Sequence, residues 1–289
     1  MGSQIKIGDE VLQRFPVLKV LVREVKGVRV SEADPRLEEF KKEVFADVKC
    51  RFTLEGLKDE PVFRAYRAFF WSIGIDPTKI RPAAEALIRR VLGGKPIPRI
   101  NTAVDAYNLA SMTTCIALAA FDINRLDGDI TMRFANKGEE FLGIGMDKPL
   151  IMAGGEIVMT DASRLIAIYP YRDAEYSKIT LQTNELMLVS CGVPSIPLER
   201  LKETVDKASE FITRFCGGRE SEEEKRYIHN RCINFWTILA VFLGLFPPRI
   251  STSRRMHNRG PSQNTPSSLL QSSNPIQLAA CSSQSRICL

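Results

Sequence analysis

The sequence predicts an α+β fold: a mixed β-sheet or barrel-like core with N-terminal helices and a closing C-terminal helix. Three observations predict it. Helical spacing of apolar residues dominates residues 35–118. Short β-branched runs separated by turn residues follow in residues 130–189. A last amphipathic stretch, residues 197–215, returns to the helical period and ends at two glycines.

The N-terminal part opens with a predicted β segment and continues into helices. Residues 16–30 are rich in Val and Leu and are broken at Gly27, a pattern typical of strands. Asn101 is the predicted N-cap of the last helix of this part. Four helices are predicted, over residues 35–48, 61–73, 80–92 and 102–118.

The strand region is predicted to consist of hairpins. Residues 130–134 and 140–144 flank a turn at 136–138 and are expected to pair. Asp161 begins a second predicted turn. Further strands are predicted at residues 156–159, 165–169 and 184–189.

Composition divides the chain into three parts. Residues 1–218 are predicted to form one globular domain, because the closing helix stops at Gly217-Gly218. Residues 219–250 are predicted to be a charged linker with a short apolar segment, and residues 251–289 a disordered tail rich in Ser, Gln, Asn and Pro. The apolar run 233–246 is shorter than the roughly 20 residues of a membrane span, so a membrane anchor is disfavoured.

Charge and cysteine usage exclude several function classes. The formal net charge is +6, but seven arginines and no Asp, Glu or Lys lie beyond Lys225, so residues 1–225 carry one net negative charge. Global charge therefore gives no argument for a polyanionic partner, and only local basic patches can. The seven cysteines form no C-x-x-C pair, which disfavours a zinc site and a disulfide framework and favours a reducing, cytoplasmic compartment.

The chemistry available to the predicted domain is restricted. No Gly-rich phosphate loop or dinucleotide fingerprint occurs, so no nucleotide cofactor is expected. The two histidines, His229 and His257, both lie beyond residue 225, which excludes Ser-His-Asp and Cys-His catalysis from residues 1–225. Hydrolytic chemistry there has to use carboxylates, hydroxyls, backbone amides or the substrate itself.

Several short motifs, in a fixed order, resemble one family. The most specific is PRINTAVDAYN at residues 98–108; it is preceded by RPAAEAL at residues 81–87. It is followed by FD and LDGDI (121–130), GEEF (138–141), GEIV (155–158) and YPYRD (169–173), with Ser177, Thr180 and Thr183 behind them. Together they resemble free-standing relatives of the tRNA-editing domain of the phenylalanyl-tRNA synthetase β subunit. The resemblance covers residues 61–188 and implies hydrolysis of wrongly attached amino acids from tRNA.

Two departures from the family pattern bear on activity. Ala119 stands where the synthetase motif has a histidine, and Tyr169 and Tyr171 replace two tryptophans of the stand-alone relatives, while Arg172 is kept. The resemblance implies that Glu175 matches a synthetase glutamate near its Gly-Gly turn. The synthetase constellation is therefore incomplete, and the amino acid removed is expected to differ.

Two groups of residues are candidates for substrate binding. Asn101, Asp105 and Asn108 lie at i, i+4 and i+7, so they either line a pocket that holds an amino group or a ribose, or form a helix cap and a solvated face. Alternation along a strand would place Tyr169 and Tyr171 on one face, where they either stack on a base or form a core pair. Thr180 belongs to the same predicted substrate site.

Carboxylates and arginines supply the remaining candidates. Asp173 and Glu175 have the chemistry to orient a water for ester hydrolysis, or are solvated loop carboxylates. The predicted tRNA-phosphate contacts, which equally fit an ordinary solvated helix face, are Arg81, Arg89, Arg90 and Arg99.

Two functions follow as expectations. The first is a trans-acting deacylase of mischarged aminoacyl-tRNA, with tRNA as partner, no DNA, and neither metal nor cofactor. The second is a non-catalytic module that binds tRNA or a small ligand.

Overall fold

The computed structural model describes residues 5–221 and 225–228 of the chain. The predicted tail, 251–289, and most of the predicted linker lie outside the described residues. Six helices are described: α1 Asp9–Arg14, α2 Pro35–Arg51, α3 Pro61–Ser72, α4 Ala83–Leu92, α5 Thr102–Thr114 and α6 Leu198–Cys216. The strands are β1 Ile5–Ile7, β2 Lys19–Lys26, β3 Leu118–Asp122, β4 Ile130–Phe134, β5 Glu140–Phe141, β6 Leu150–Ile151, β7 Ile157–Thr160, β8 Leu165–Ile168, β9 Arg172–Asp173, β10 Glu185–Cys191, β11 Arg219–Glu220 and β12 Lys225–Ile228.

The strands form two larger sheets and one small ribbon. The first sheet has the order β1-β4-β7-β8-β9, in which β1 and β4 are parallel and the other pairs antiparallel. The second has the order β11-β2-β10-β3, with β12 also paired to β2, and β5 and β6 form a separate two-stranded ribbon. The predicted α+β class is confirmed, and the described strands form open sheets without a closed barrel. β11 and β12 extend the second sheet past the predicted domain boundary at Gly218.

The helices cover the second sheet and build the main core. α6 packs against α5 and β2, and α5 also contacts α2 and α4. The longest predicted helices are present in the structure, because their apolar stripes are buried. In α4 the buried stripe consists of Ala84, Leu87, Ile88 and Val91. In the described part of the chain, no helix combines the length and the apolar character needed to cross a membrane.

Two predicted elements are wrong, for identifiable reasons. The helix predicted over 102–118 ends at Thr114, because Cys115 adopts the left-handed conformation at φ 64°, and the chain then enters β3. Residues 140–144 do not pair with 130–134, because both edges of β4 are taken by β1 and β7. The hairpin of β7 and β8 around the Asp161 turn is confirmed; the Asp161 carboxylate accepts bonds from the N–H groups of Ser163 and Arg164, both at 2.9 Å.

Candidate functional site

A cleft lies where the edge strands of the two sheets meet. β9 ends the first sheet, β3 ends the second, and the two strands contact each other. One side of α5 and the first residue of α4 complete the walls, and the cavity volume of the cleft is about 30 Å³, room for about one water molecule. Its lining residues are Ala83, Tyr107, Asn108, Ser111, Leu118, Ala119, Met159, Ala167, Ile168, Tyr169, Pro170, Tyr171, Arg172, Asp173 and Cys191.

Asp173 is the acidic group of this cleft. It lies on β9 at the wall of the cleft, where the residue is half-buried. Burial raises the pKa of the Asp173 carboxyl to about 7, against the opposing effects of the Ala120 N–H and the Arg172 charge. A carboxyl with that pKa exchanges its proton at neutral pH, which is the property required of a general acid or base.

Asn108 is the amide of the cleft. It lies on α5, where only 7% of the residue is exposed, and its side chain has no hydrogen-bond partner within the described residues. The nearby Ser111 hydroxyl, in contrast, already donates to the Ile116 carbonyl at 2.6 Å. Because buried amides are normally paired, the amide of Asn108 is available to a ligand or to water.

Two neighbouring groups stay neutral. The pKa of the Tyr107 phenol is raised by burial and further by the negative charge of Asp173. The pKa of the Cys191 thiol is also raised, mainly by burial and further by the negative charge of Asp173. A thiol with a raised pKa is a poor nucleophile, so Cys191 contributes to the wall of the cleft and not to covalent chemistry.

The two predicted aromatic residues have different environments. Tyr169 is 1% exposed, donates its hydroxyl to the Gly192 carbonyl and meets Phe69 edge-on at 6.3 Å between ring centroids. Tyr171 is half-buried, with the guanidinium carbon of Arg172 5.3 Å from its ring centroid. The strand alternation expected for this pair does not apply, because residues 169–171 form a turn with a cis Tyr169–Pro170 bond.

Arg172 is fixed by its neighbours. Its guanidinium donates to the Ile144 carbonyl at 3.0 Å. Its aliphatic stem lies directly over Gly143, where any added Cβ would collide with it. The arginine therefore lies along the side of the cleft and closes the gap between residues 143–144 and β9.

Glu175 lies outside the cleft. Its carboxylate is paired with Lys178 and accepts a long hydrogen bond, 3.4 Å, from the Gly145 N–H. Glu175 does not belong to the residues that line the cleft. Of the two predicted catalytic carboxylates, the fold thus places Asp173 in the cleft that Asn108 also lines and leaves Glu175 in an ion pair two residues further on.

The predicted polar stripe of α5 is divided between three environments. Asn101 caps the helix by accepting from the Val104 N–H at 2.9 Å and donates to the Ile179 carbonyl at 3.2 Å. Asp105 is 3% exposed and paired with Lys41 at 2.7 Å. Only Asn108 lines the cleft, because the N-cap lies outside the helix and Asp105 faces α2.

A second, wider groove contains other predicted residues. Its cavity volume is about 540 Å³. Arg99, Asn101 and Thr180 lie in it together with Lys178 and the exposed Leu181. The predicted substrate residues are therefore not all in one place: Asn108, Tyr169, Tyr171, Arg172 and Asp173 line the cleft, and Asn101 and Thr180 line the groove.

The predicted phosphate-binding arginines are also dispersed. Arg89 donates to the buried Glu85 at 2.7 Å, and Arg90 donates to the Pro96 carbonyl at 2.9 Å. Arg81 and Arg99 are exposed. Over the described residues, no three His, Cys, Asp or Glu side chains come together in a way that suits a metal ion.

Ser111 and Cys191 are polar lining residues that the sequence analysis missed. Ser111 follows Asn108 at i+3 on α5, and this spacing was the available signal. Cys191 ends β10, and nothing in its local pattern indicates a cleft.

Comparison with known proteins identifies the family of this chain. Residues 65–232, more than half of the chain, match the family model described as B3/4 domain. The chain belongs to the B3/4 domain family. The resemblance predicted from the ordered motifs is thereby confirmed, and the match to this B3/4 domain includes every strand that lines the cleft.

The relatives of this B3/4 domain are phenylalanine–tRNA ligase β subunits. The one from Fusobacterium nucleatum is 31% identical over 34% of this chain and 12% of its own length. Those from Symbiobacterium thermophilum and a Wolbachia species are 30% and 26% identical, over 45% and 40% of this chain and 14% of their own lengths. The matched segments are therefore a small part of each relative.

A solved structure is also similar. It is an N-terminal fragment of the phenylalanyl-tRNA synthetase β subunit from Pyrococcus horikoshii, at 10% identity and a TM-score of 0.42. The similarity covers 78% of this chain and 54% of that chain.

Proposed function

We propose that this B3/4 domain binds aminoacylated tRNA and hydrolyses the ester that joins a wrongly attached amino acid to it. The observation that carries the proposal is that one cleft contains two suitable groups. They are the carboxyl of Asp173, with a pKa of about 7, and the amide of Asn108, which has no hydrogen-bond partner among the described residues. Membership of the B3/4 family and the tRNA-ligase relatives support tRNA as the partner. The cytoplasm is the proposed compartment.

Asp173 and Asn108 divide the proposed reaction between them. Ionised Asp173 accepts a proton from a water molecule as that water attacks the ester carbonyl carbon. Asn108 donates from its amide to the carbonyl oxygen, which gains negative charge in the tetrahedral intermediate. The ester C–O bond then breaks, Asp173 returns the proton to the leaving ribose oxygen, and the products are a free amino acid and tRNA with its terminal hydroxyl restored.

The walls of the cleft combine apolar and polar groups. Tyr169, Ile168 and Met159 present apolar surface, while Tyr171 and Arg172 stand on the side formed by β9. Ala119 enlarges the cleft relative to a histidine at the same position. The attached amino acid, not the nucleotide sequence, is therefore the proposed basis of selection in the cleft.

A binding module without chemistry is the second candidate. Ala119 favours it, because the related synthetase motif carries a histidine at the place where this chain lines the cleft with a methyl group. Such a module would bind tRNA with a salt-dependent affinity and release no amino acid.

A panel of mischarged tRNAs separates the two candidates. We expect the full-length protein to release the amino acid from one or a few tRNA–amino acid pairs and to leave correctly charged tRNAs intact. The measurement is the loss of radiolabelled aminoacyl ester with time, against the spontaneous rate without protein. Release from no pair would exclude the deacylase, and salt-dependent tRNA binding under the same conditions would then favour the binding module.

A further inference from the structure

The outer face of α3 carries an exposed tryptophan among arginines. Trp71 is 59% exposed, the largest exposed fraction of any large hydrophobic residue that the structure describes. Arg64, Arg67 and Trp71 lie at i, i+3 and i+7, so they share one face of α3, beside the face that buries Phe63, Tyr66 and Phe70. Tryptophan is highly buried on average, so the exposed ring of Trp71 among arginines is a candidate contact for a partner.

The positive charge of this face exceeds its negative charge. Arg67 and Arg89 both donate to the fully buried carboxylate of Glu85, at 2.9 Å and 2.7 Å from their Nε atoms. One carboxylate is thus shared by two guanidinium groups, one from α3 and one from α4. Arg64 is exposed and forms no ion pair with another described residue. We call Arg64, Arg67, Trp71 and Arg89 the α3 patch.

The α3 patch and the cleft lie on different sides of α3. The inner face of α3 supports the cleft wall, since Tyr66 donates to the Cys191 carbonyl and Phe69 contacts Tyr169. Ala83, the first residue of α4, lines the cleft two residues before Glu85. The patch is thus separated from the cleft by about one helix diameter, 10–12 Å.

We propose that the α3 patch is the surface that holds the RNA strand leading to the cleft: Trp71 stacks on an unpaired base, and the patch arginines contact its phosphates. This proposal rests on the proposed function, because it assigns a place to the tRNA whose terminus enters the cleft. An aromatic ring between cations is the usual platform for single-stranded nucleic acid. The guanidinium forks of Arg67 and Arg89 keep free N–H donors beyond those bonded to Glu85.

Binding of uncharged tRNA by the full-length protein tests the patch. We expect Trp71→Ala to weaken binding about tenfold, as the loss of one stacked base does. Arg64→Ala should weaken binding and lower the slope of log affinity against log salt by about one, the contribution of one phosphate contact. The matched control is Lys202→Ala, an exposed cation on α6 with the same loss of charge, which should leave affinity and slope unchanged.

Tryptophan fluorescence provides a direct readout. The chain has two tryptophans, Trp71 and Trp236, and the second lies outside the described residues. In a Trp236→Phe background, we expect added tRNA to quench the emission of Trp71. Because Trp71 and Arg64 are exposed, their substitutions should move the melting temperature by less than about 2 °C.

The outcomes separate this proposal from the proposed function. If the unmodified protein deacylates tRNA and the patch variants keep its KM and its tRNA affinity, the patch serves another occupant and the proposal is overturned. That occupant would be a protein or residues 229–289 of this chain. If no deacylation occurs but tRNA binding depends on Trp71, the patch proposal stands and only the proposed chemistry fails.

Discussion

Replacing Asp173 by asparagine should lower kcat for deacylation by about 10²- to 10⁴-fold, the usual contribution of a general base. Asparagine keeps the shape of the side chain and can still bond to water, but it cannot accept the proton of the attacking water. The raised pKa of Asp173 places this proton transfer at neutral pH. KM should change little, because the substrate is held by the other walls of the cleft. The measurement is single-turnover release from the preferred mischarged tRNA at neutral pH.

Two matched variants sharpen this prediction. Asp47→Asn removes an exposed carboxylate from α2 and should leave the rate unchanged. Glu175→Gln removes the other predicted catalytic carboxylate, which is paired with Lys178 outside the cleft. If Glu175→Gln abolishes turnover while Asp173→Asn keeps it, the proton-transfer role belongs to Glu175 and the proposed assignment is wrong.

Replacing Lys41 by methionine should destabilise the fold by about 3–5 kcal/mol, because it leaves the buried carboxylate of Asp105 without its cation. The pair is separated by 2.7 Å, and the side chains of Lys41 and Asp105 are 9% and 3% exposed. For a domain of this size the loss corresponds to a fall of about 10 °C in melting temperature. Differential scanning calorimetry of the full-length protein measures it.

The pH dependence of this effect has a defined sign. Burial raises the pKa of Asp105 even with Lys41 beside it, and removing Lys41 raises that pKa further. When the pKa of a carboxyl group is higher in the folded protein than in the unfolded chain, the fold becomes less stable as pH rises between these two values. The difference in free energy of unfolding between Lys41→Met and the unmodified protein should therefore be largest above neutral pH and become smaller towards about pH 4.

The neighbouring lysine provides the control. Lys42 is 73% exposed and pairs with Glu39 on the surface, so Lys42→Met should change stability by less than about 0.5 kcal/mol. The double variant Lys41→Met, Asp105→Asn should recover much of the loss. If Lys41→Met and Lys42→Met lower the stability by the same amount, the ion pair with Lys41 is not what holds the Asp105 carboxylate in the fold. Asp105 would then again be a candidate substrate contact.

The fold was predictable where local patterns decide it. The stripe of α4, the long amphipathic α6 and the hairpin of β7 and β8 follow from periodicity and turn chemistry alone. β3 was not predictable, because all five of its residues are buried and the alternation that indicates a strand is absent. Without β3, the edge that forms the cleft could not be foreseen.

The types of residue in the candidate site were predictable from the sequence, but which of them lie together in the cleft was not. Asn108 and Asp173 are separated by 65 positions and line one cleft because α5, which carries Asn108, contacts β3, and β3 contacts β9, which carries Asp173. Asp105 has the same appearance in the sequence as Asn108, and only its distant partner Lys41 distinguishes a buried ion pair from a ligand contact. Trp71 has the helical position of an ordinary apolar residue, and its exposure depends on what the rest of the chain leaves uncovered.

The pH dependence of single-turnover deacylation tests the central claim most directly. With the preferred mischarged tRNA, the rate constant should rise about tenfold per pH unit below about pH 7 and level off above it, since Asp173 acts in its ionised form. The Asp173→Asn variant should lack this inflection. A rate that rises without levelling, in parallel with the spontaneous hydrolysis of the ester, or an unchanged inflection in Asp173→Asn, would contradict the assignment of the cleft as the hydrolytic site.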